Sequence, residues 1–169
     1  MSETKTLYRP VGLKEAELIL QADGNAFPPR LPNQPIFYPV LIFDYAVQIA
    51  RDWNTRDPNS GFAGFVTKFA VDAQYLNQFE EHTVGSSTHR ELWIPAEQLE
   101  EFNRHISGRI QFTKAFYGAG YKGLQHWRQD WYVEEIFEAL YTVSLSGGGM
   151  DFHGEFTMNR HAILLNFKY

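Results

Sequence analysis

The chain has 169 residues, 44% of them hydrophobic, a formal net charge of −5 and no cysteine. This length and apolar fraction suit one domain with one core. The missing cysteines exclude disulfides, thiolate zinc sites and cysteine nucleophiles, and the acidic balance argues against broad attraction to nucleic-acid phosphate.

In chain order, residues 6–11 (TLYRPV) read as a first strand, with Pro10 marking an edge or a strand end. Residues 13–21 read as a short helix with Leu13, Ala16, Ile19 and Leu20 inward. Residues 27–35 hold four prolines and read as an extended loop. Residues 36–41 (IFYPVL) read as a second strand. Asp44 reads as the N-cap of a helix whose Ala46, Ile49, Ala50 and Trp53 fall at i, i+3, i+4 and i+7, the clearest helical stripe in the chain. Residues 54–61 (NTRDPNSG) are rich in turn formers. Residues 64–71 (GFVTKFAV) form a strand with Phe65, Thr67, Phe69 and Val71 on one face, and 72–79 a short helix or turn.

Residues 83–87 suggest a brief strand and 91–94 (ELWI) a firmer one, ended by Pro95. A helix over 96–105 follows, with Leu99, Phe102 and Ile106 inward. Residues 109–117 alternate Ile110, Phe112 and Phe116 as a strand. A looser aromatic stretch, 118–131, leads to a helix over 133–143. The loop 146–149 (SGGG) follows, and 162–167 (AILLNF) read as a closing buried strand. The crossovers are too short for a regular doubly wound parallel sheet, so the expected class is α+β with a mixed or antiparallel sheet and short helices. No repeat or linker divides the chain, so a single domain over 1–169 is expected. Residues 1–6 carry no apolar segment of signal type, and no run approaches the ~18 apolar residues of a membrane span. A cytoplasmic protein with no membrane partner is the corresponding expectation.

Familiar catalytic patterns are missing. The six histidines form no helical i, i+4 pair of zinc-protease type, so no metal site is expected. His153 and Glu155 would share a strand face if that piece were extended. The SGGG loop lacks the Lys and Ser/Thr of a phosphate loop, and neither GxGxxG nor GxSxG occurs. Glu97, Glu100 and Glu101 read as a solvated helix face.

Three positions carry more information. Arg9 lies inside an apolar strand; it is either an edge arginine facing water or a guanidinium fork for a phosphate or ribose hydroxyl. Tyr38 lies in the second strand, as core or as a stacking face for a heteroaromatic ring. Glu91 opens a strand and shares a face with Trp93; it is either paired with Arg90 or Arg104 at the surface or aimed into a cleft.

The stretches TLYRPVGLKEAELIL, IFYPVLIFDYAVQIARDW and HRELWIPAEQLEEF, in this order, resemble the ADP-ribosyltransferase fold over residues 6–117, with 118–169 as an extension that completes the domain. The chain is also similar to small bacterial proteins labelled "ADP-ribosylation/crystallin-like". The resemblance implies an NAD-dependent transferase in which Arg9, Tyr38 and Glu91 converge on NAD. Glu91 would stabilise the oxocarbenium-like ribose and His89 would polarise or deprotonate the acceptor. Arg9 would bind the pyrophosphate or adenosine ribose, and Tyr38 would stack on nicotinamide with help from Phe37 or Tyr45. The set departs from the family pattern: no Ser-Thr-Ser triplet accompanies Arg9, and His89 stands two residues before Glu91, where arginine- or asparagine-modifying members carry Glu or Gln. The acceptor, protein or nucleic acid, is therefore open. An alternative is a non-catalytic nucleotide- or nucleic-acid-binding module, suggested by the interleaved Lys122, His126, Trp127, Arg128, Trp131 and Tyr132.

Overall fold

The computed structural model describes residues 3–124, 133–145 and 152–166. Alternation along the first segment produces strand β1 (Thr4–Val11), which buries Leu7, Arg9 and Val11 on one side, as a period of two requires. Helix α1 (Leu13–Gln21) follows and buries Leu13, Ala16 and Ile19. The long strand β3 (Ala63–Asp72) pairs antiparallel with β1 on one side and with β7 (Ile106–Tyr117) on the other, giving the order β1-β3-β7. The α+β class with antiparallel pairing is thus formed. Pro10 sits on edge strand β1, opposite Val66.

β3 is buried on both faces because it is central. Phe65, Phe69 and Val71 join the main core, while Val66 joins a second cluster with Val40, Tyr45, Ala46 and Ala50. Phe27, Phe37, Phe69 and Phe102 form the aromatic heart of the main core, with ring centroids 4.8–5.4 Å apart between Phe27 and Phe69, Phe27 and Phe37, and Phe37 and Phe102. Gly64 lets β3 pass close to the backbone at Ala50: a Cβ there would lie 2.0 Å from the Ala50 carbonyl oxygen.

The segment after the proline-rich loop is where sequence and structure part. The expected strand 36–41 is broken into β2 (Ile36–Phe37) and a single bridging residue, Val40, because Pro39 has no N–H to give a ladder. Helix α2 (Phe43–Gln48) begins one residue before Asp44, with Ile42 at its N-cap and no side-chain cap. Asp44 lies in the first turn instead, where its charge suits the helix dipole. The stripe also fails at its end. Residues Ile49–Trp53 form a π-helical turn, and the wider winding carries Trp53 past the buried side to 53% exposure.

Residues 91–94 do not form one strand. β5 (Arg90–Leu92) pairs with β4 (Glu81–Thr83), and β6 (Ile94–Pro95) pairs with β2. The expected strand 83–87 is therefore shifted to Glu81–Thr83. Val40 bridges Tyr8 of β1 and Glu91 of β5, so the β4–β5 hairpin is joined to the main sheet through one residue. Glu81 reinforces the junction by pairing with Lys5 of β1 at 2.5 Å and with Arg90 of β5. These cations, Lys5 foremost, hold its carboxyl below the ordinary range. Between the sheet strands, α3 (Ala73–Leu76) is capped by Asp72, and the helix expected over 96–105 is a 3₁₀ turn followed by α4 (Leu99–Arg104), leaving Ile106 to begin β7.

Helices α5 (Val133–Leu145), α6 (Phe152–Met158) and α7 (Arg160–Asn166) complete the described residues. The closing strand read over 162–167 is thus a helix as far as Asn166, and Phe167 lies outside the described residues. Asn159, Ala162, Ile163 and Asn166 are buried, a spacing of i, i+3, i+4 and i+7. The pattern is helical, but asparagines stand at both ends, so an apolar reading sees only the run between them. His153 and Glu155 lie on helix α6, not on a strand. The Tyr117 hydroxyl donates to the Leu165 carbonyl at 2.7 Å, tying α7 to β7. The SGGG loop and His126, Trp127, Arg128, Trp131 and Tyr132 lie outside the described residues. Among the described residues, no helix is long and apolar enough to cross a membrane, and no three metal-ligating side chains gather.

Candidate functional site

Directly paired residues on antiparallel strands send their side chains to the same face. Tyr8, Val40 and Glu91 are so paired, and Glu91 shares its face with Trp93. Arg9, next to Tyr8, leaves from the opposite face. The single Arg–Tyr–Glu constellation implied by the resemblance is therefore replaced by two clusters, joined at Tyr38.

The first cluster surrounds Arg9. Its guanidinium is not an edge group facing water: the residue is 6% exposed. Nε and Nη2 donate to the two Glu15 carboxylate oxygens at 2.7 and 3.1 Å, a bidentate pair. Nη1 donates to the Tyr38 carbonyl at 3.1 Å, and Cζ lies 4.4 Å above the Phe37 ring. The pairing of β1 with the 36–41 segment stops at Tyr8 and Val40. Beyond that bridge, the Arg9 side chain rather than a backbone N–H reaches the Tyr38 carbonyl. A cleft opens beside it, with a volume of about 320 Å³, lined by Arg9, Glu15, Arg30, Gln34 and Ser60 among others. Arg30 reaches within 3.7 Å of Glu15. Burial, and then the neighbouring Arg9 charge, lower its pKa.

The second cluster surrounds Glu91. The residue is 9% exposed and accepts a hydrogen bond from Trp93 Nε1 at 2.7 Å. The surface pairs considered for it are taken elsewhere, Arg90 by Glu81 and Arg104 by Glu100 and Glu101. Trp93 is 42% exposed and stacks on His82 at 4.1 Å. Tyr38, 38% exposed, meets the Trp93 ring edge-on at 6.1 Å and 86°. Tyr38 thus holds Arg9 through its carbonyl and Trp93 through its ring.

Phe37 and Tyr45 are corrections to the expected stacking set. Phe37 is fully buried beneath Arg9 and packs on Phe27 and Phe102, so it has no face for a ligand. Tyr45 is 5% exposed and one ring face is covered by His89, stacked at 4.1 Å and 11°. Burial, then the Glu91 charge, raises the Tyr45 phenol pKa, so the hydroxyl stays protonated beside that carboxylate. His89 is held at both ring nitrogens, by the Val84 carbonyl at 3.2 Å and Gln48 Oε1 at 3.1 Å. These two contacts, both to acceptor oxygens, orient the ring.

Glu15, Arg30 and Trp93 complete the two clusters without a motif that marks them as site residues. Arg30 is the one charged residue in the loop FPPRLPNQP, and Glu15 follows Arg9 by six residues; both were legible as charges but not as partners. Comparison with known protein families, curated proteins and solved structures yields no match.

Proposed function

We propose that this chain is an ADP-ribosyltransferase-like protein that binds NAD and cleaves its bond between ribose and nicotinamide. One observation carries this reading: Tyr38 joins a guanidinium-lined cleft to an exposed aromatic pair backed by a desolvated carboxylate. NAD has the complementary sequence of charges, an anionic diphosphate followed by a cationic pyridinium. Arg9 suits the diphosphate, Tyr38 and Trp93 suit the face of the pyridinium, and Glu91 suits its charge.

The chemistry follows from the carboxylate. The C1′–N bond breaks with its electron pair going to the ring nitrogen, so nicotinamide leaves neutral and the positive charge moves onto the ribose. Glu91 stabilises that charge more than it stabilises the bound ground state, which is what accelerates a reaction. The acceptor's lone pair then forms the new bond to C1′, and its proton passes to solvent. His89 and Tyr45 act as positioning residues that hold the end of β5. Incubation with NAD and either water, protein or nucleic acid as acceptor should release free nicotinamide above the protein-free rate. Release with none of the three would remove the transferase reading.

A further inference from the structure

Two guanidiniums, Arg9 and Arg30, share one carboxylate in the cleft beside β1. Glu15 gives both its oxygens to Arg9 in hydrogen bonds, at 2.7 and 3.1 Å. Its contact with Arg30 is 3.7 Å, an ion pair too long for a hydrogen bond. The Arg30 side chain is only 12% exposed, and its buried Nε finds no hydrogen-bond partner among the described residues. A buried charged donor left in this way costs stability; Nε itself is closed off, so a ligand in the cleft would meet the Nη end of the side chain. The remaining charged groups on the walls are Lys14 and Asp57. Lys14 is paired with Glu17 at 2.6 Å. Asp57 is turned into its own 3₁₀ turn, accepting from Ser60 Oγ at 2.8 Å and from the Asn59 amide at 2.9 Å. Neither competes for Arg30. The cleft, about 320 Å³, has room for a tetrahedral oxyanion.

We propose that this cleft is a phosphate seat in which Arg30 is the principal free donor, Arg9 the second, and Glu15 the counter-ion that aligns Arg9. The ligand class is a phosphate or diphosphate group, free or carried on a nucleotide. A planar fork with unused N–H groups beside a second fork matches phosphate oxygens better than it matches a lone monovalent anion. The seat rests on the NAD reading where that reading sets a diphosphate on Arg9, and adds Arg30 as its principal donor. Inorganic phosphate needs no ribose and no pyridinium.

The test uses the full chain, with inorganic phosphate, pyrophosphate and ADP titrated against chloride at matched ionic strength, following the thermal midpoint. The wild type should show a saturable rise with phosphate, larger with pyrophosphate. ADP stabilising more than pyrophosphate would assign the seat to a nucleotide, and equal stabilisation to a free diphosphate. Arg30→Ala should keep its fold, because it removes an incompletely satisfied buried charge, and should lose the rise. Arg30→Lys should retain part of it. Glu15→Gln, which removes the competing negative charge, should be stabilised by phosphate more strongly than the wild type. No rise in the wild type, or the same rise in Arg30→Ala, would overturn the seat. Pyrophosphate binding without NAD cleavage would leave the seat standing and remove the transferase; NAD cleavage indifferent to Arg30→Ala and to pyrophosphate would do the reverse.

Discussion

Glu91→Gln is expected to lose NAD cleavage by about 10²- to 10³-fold while binding NAD within a few-fold of the wild type, the magnitude typical of removing one electrostatic group aimed at a transition-state charge. The substitution is nearly isosteric. Its side-chain oxygen can still accept from Trp93 Nε1, which lies 2.7 Å from the carboxylate. Only the charge is removed, and it is removed from a group 9% exposed, where water screens little. In the ground state the pyridinium lies over the Tyr38 and Trp93 rings, which the variant keeps. The transition state places a new charge on the ribose, so the loss falls on the rate. Single-turnover rates and equilibrium titration of the same variant separate the two effects. Full activity in Glu91→Gln would end the role assigned to this carboxylate.

The second large effect is on stability. Phe37→Ala should cost about 3–5 kcal/mol, as deletion of a buried ring commonly does. The ring is 0% exposed. It packs against Phe27 at 5.0 Å and Phe102 at 5.4 Å, and it also lies under Arg9 at 4.4 Å. Phe37→Leu keeps most of the volume and should cost less than about 1.5 kcal/mol of packing. It also removes the π face beneath the guanidinium, adding roughly 0.5–2 kcal/mol. Denaturant midpoints of the two variants give both numbers. A Phe37→Ala midpoint equal to the wild type would contradict the burial of this ring, and would restore it as a candidate for stacking on a ligand.

The sequence was legible where one period dominates. The sequence pattern places helix α1 at its observed bounds and β3 and β7 to within a few residues, because their apolar spacing and their turn-forming flanks agree. It was less legible where a local chemical detail overrides the period. Pro39 interrupts the second strand, a π turn rotates Trp53 into solvent, and Asn159, just before α7, and Asn166, at its end, take buried positions that an apolar count skips. Long-range pairing was the other limit. That Arg9 would meet Glu15 and leave Arg30 incompletely paired depends on how the 28–34 loop folds back, and nothing in the spacing of these residues reports it. The exchange of one Arg–Tyr–Glu constellation for two clusters joined at Tyr38 has the same origin. It follows from the single bridging residue Val40, which fixes the register of Tyr8 and Glu91.

The Tyr38–Trp93–Glu91 surface is proposed to receive a cationic ring. Calorimetric titration of the wild-type chain with NAD⁺ and, separately, with NADH compares a charged pyridinium with its neutral dihydropyridine on the same dinucleotide. NAD⁺ should bind saturably and about 2- to 5-fold more tightly, the difference expected for a cation over exposed aromatic faces. Equal affinity for the two forms, or no binding of either at millimolar concentration, would rule out a pyridinium site on this surface.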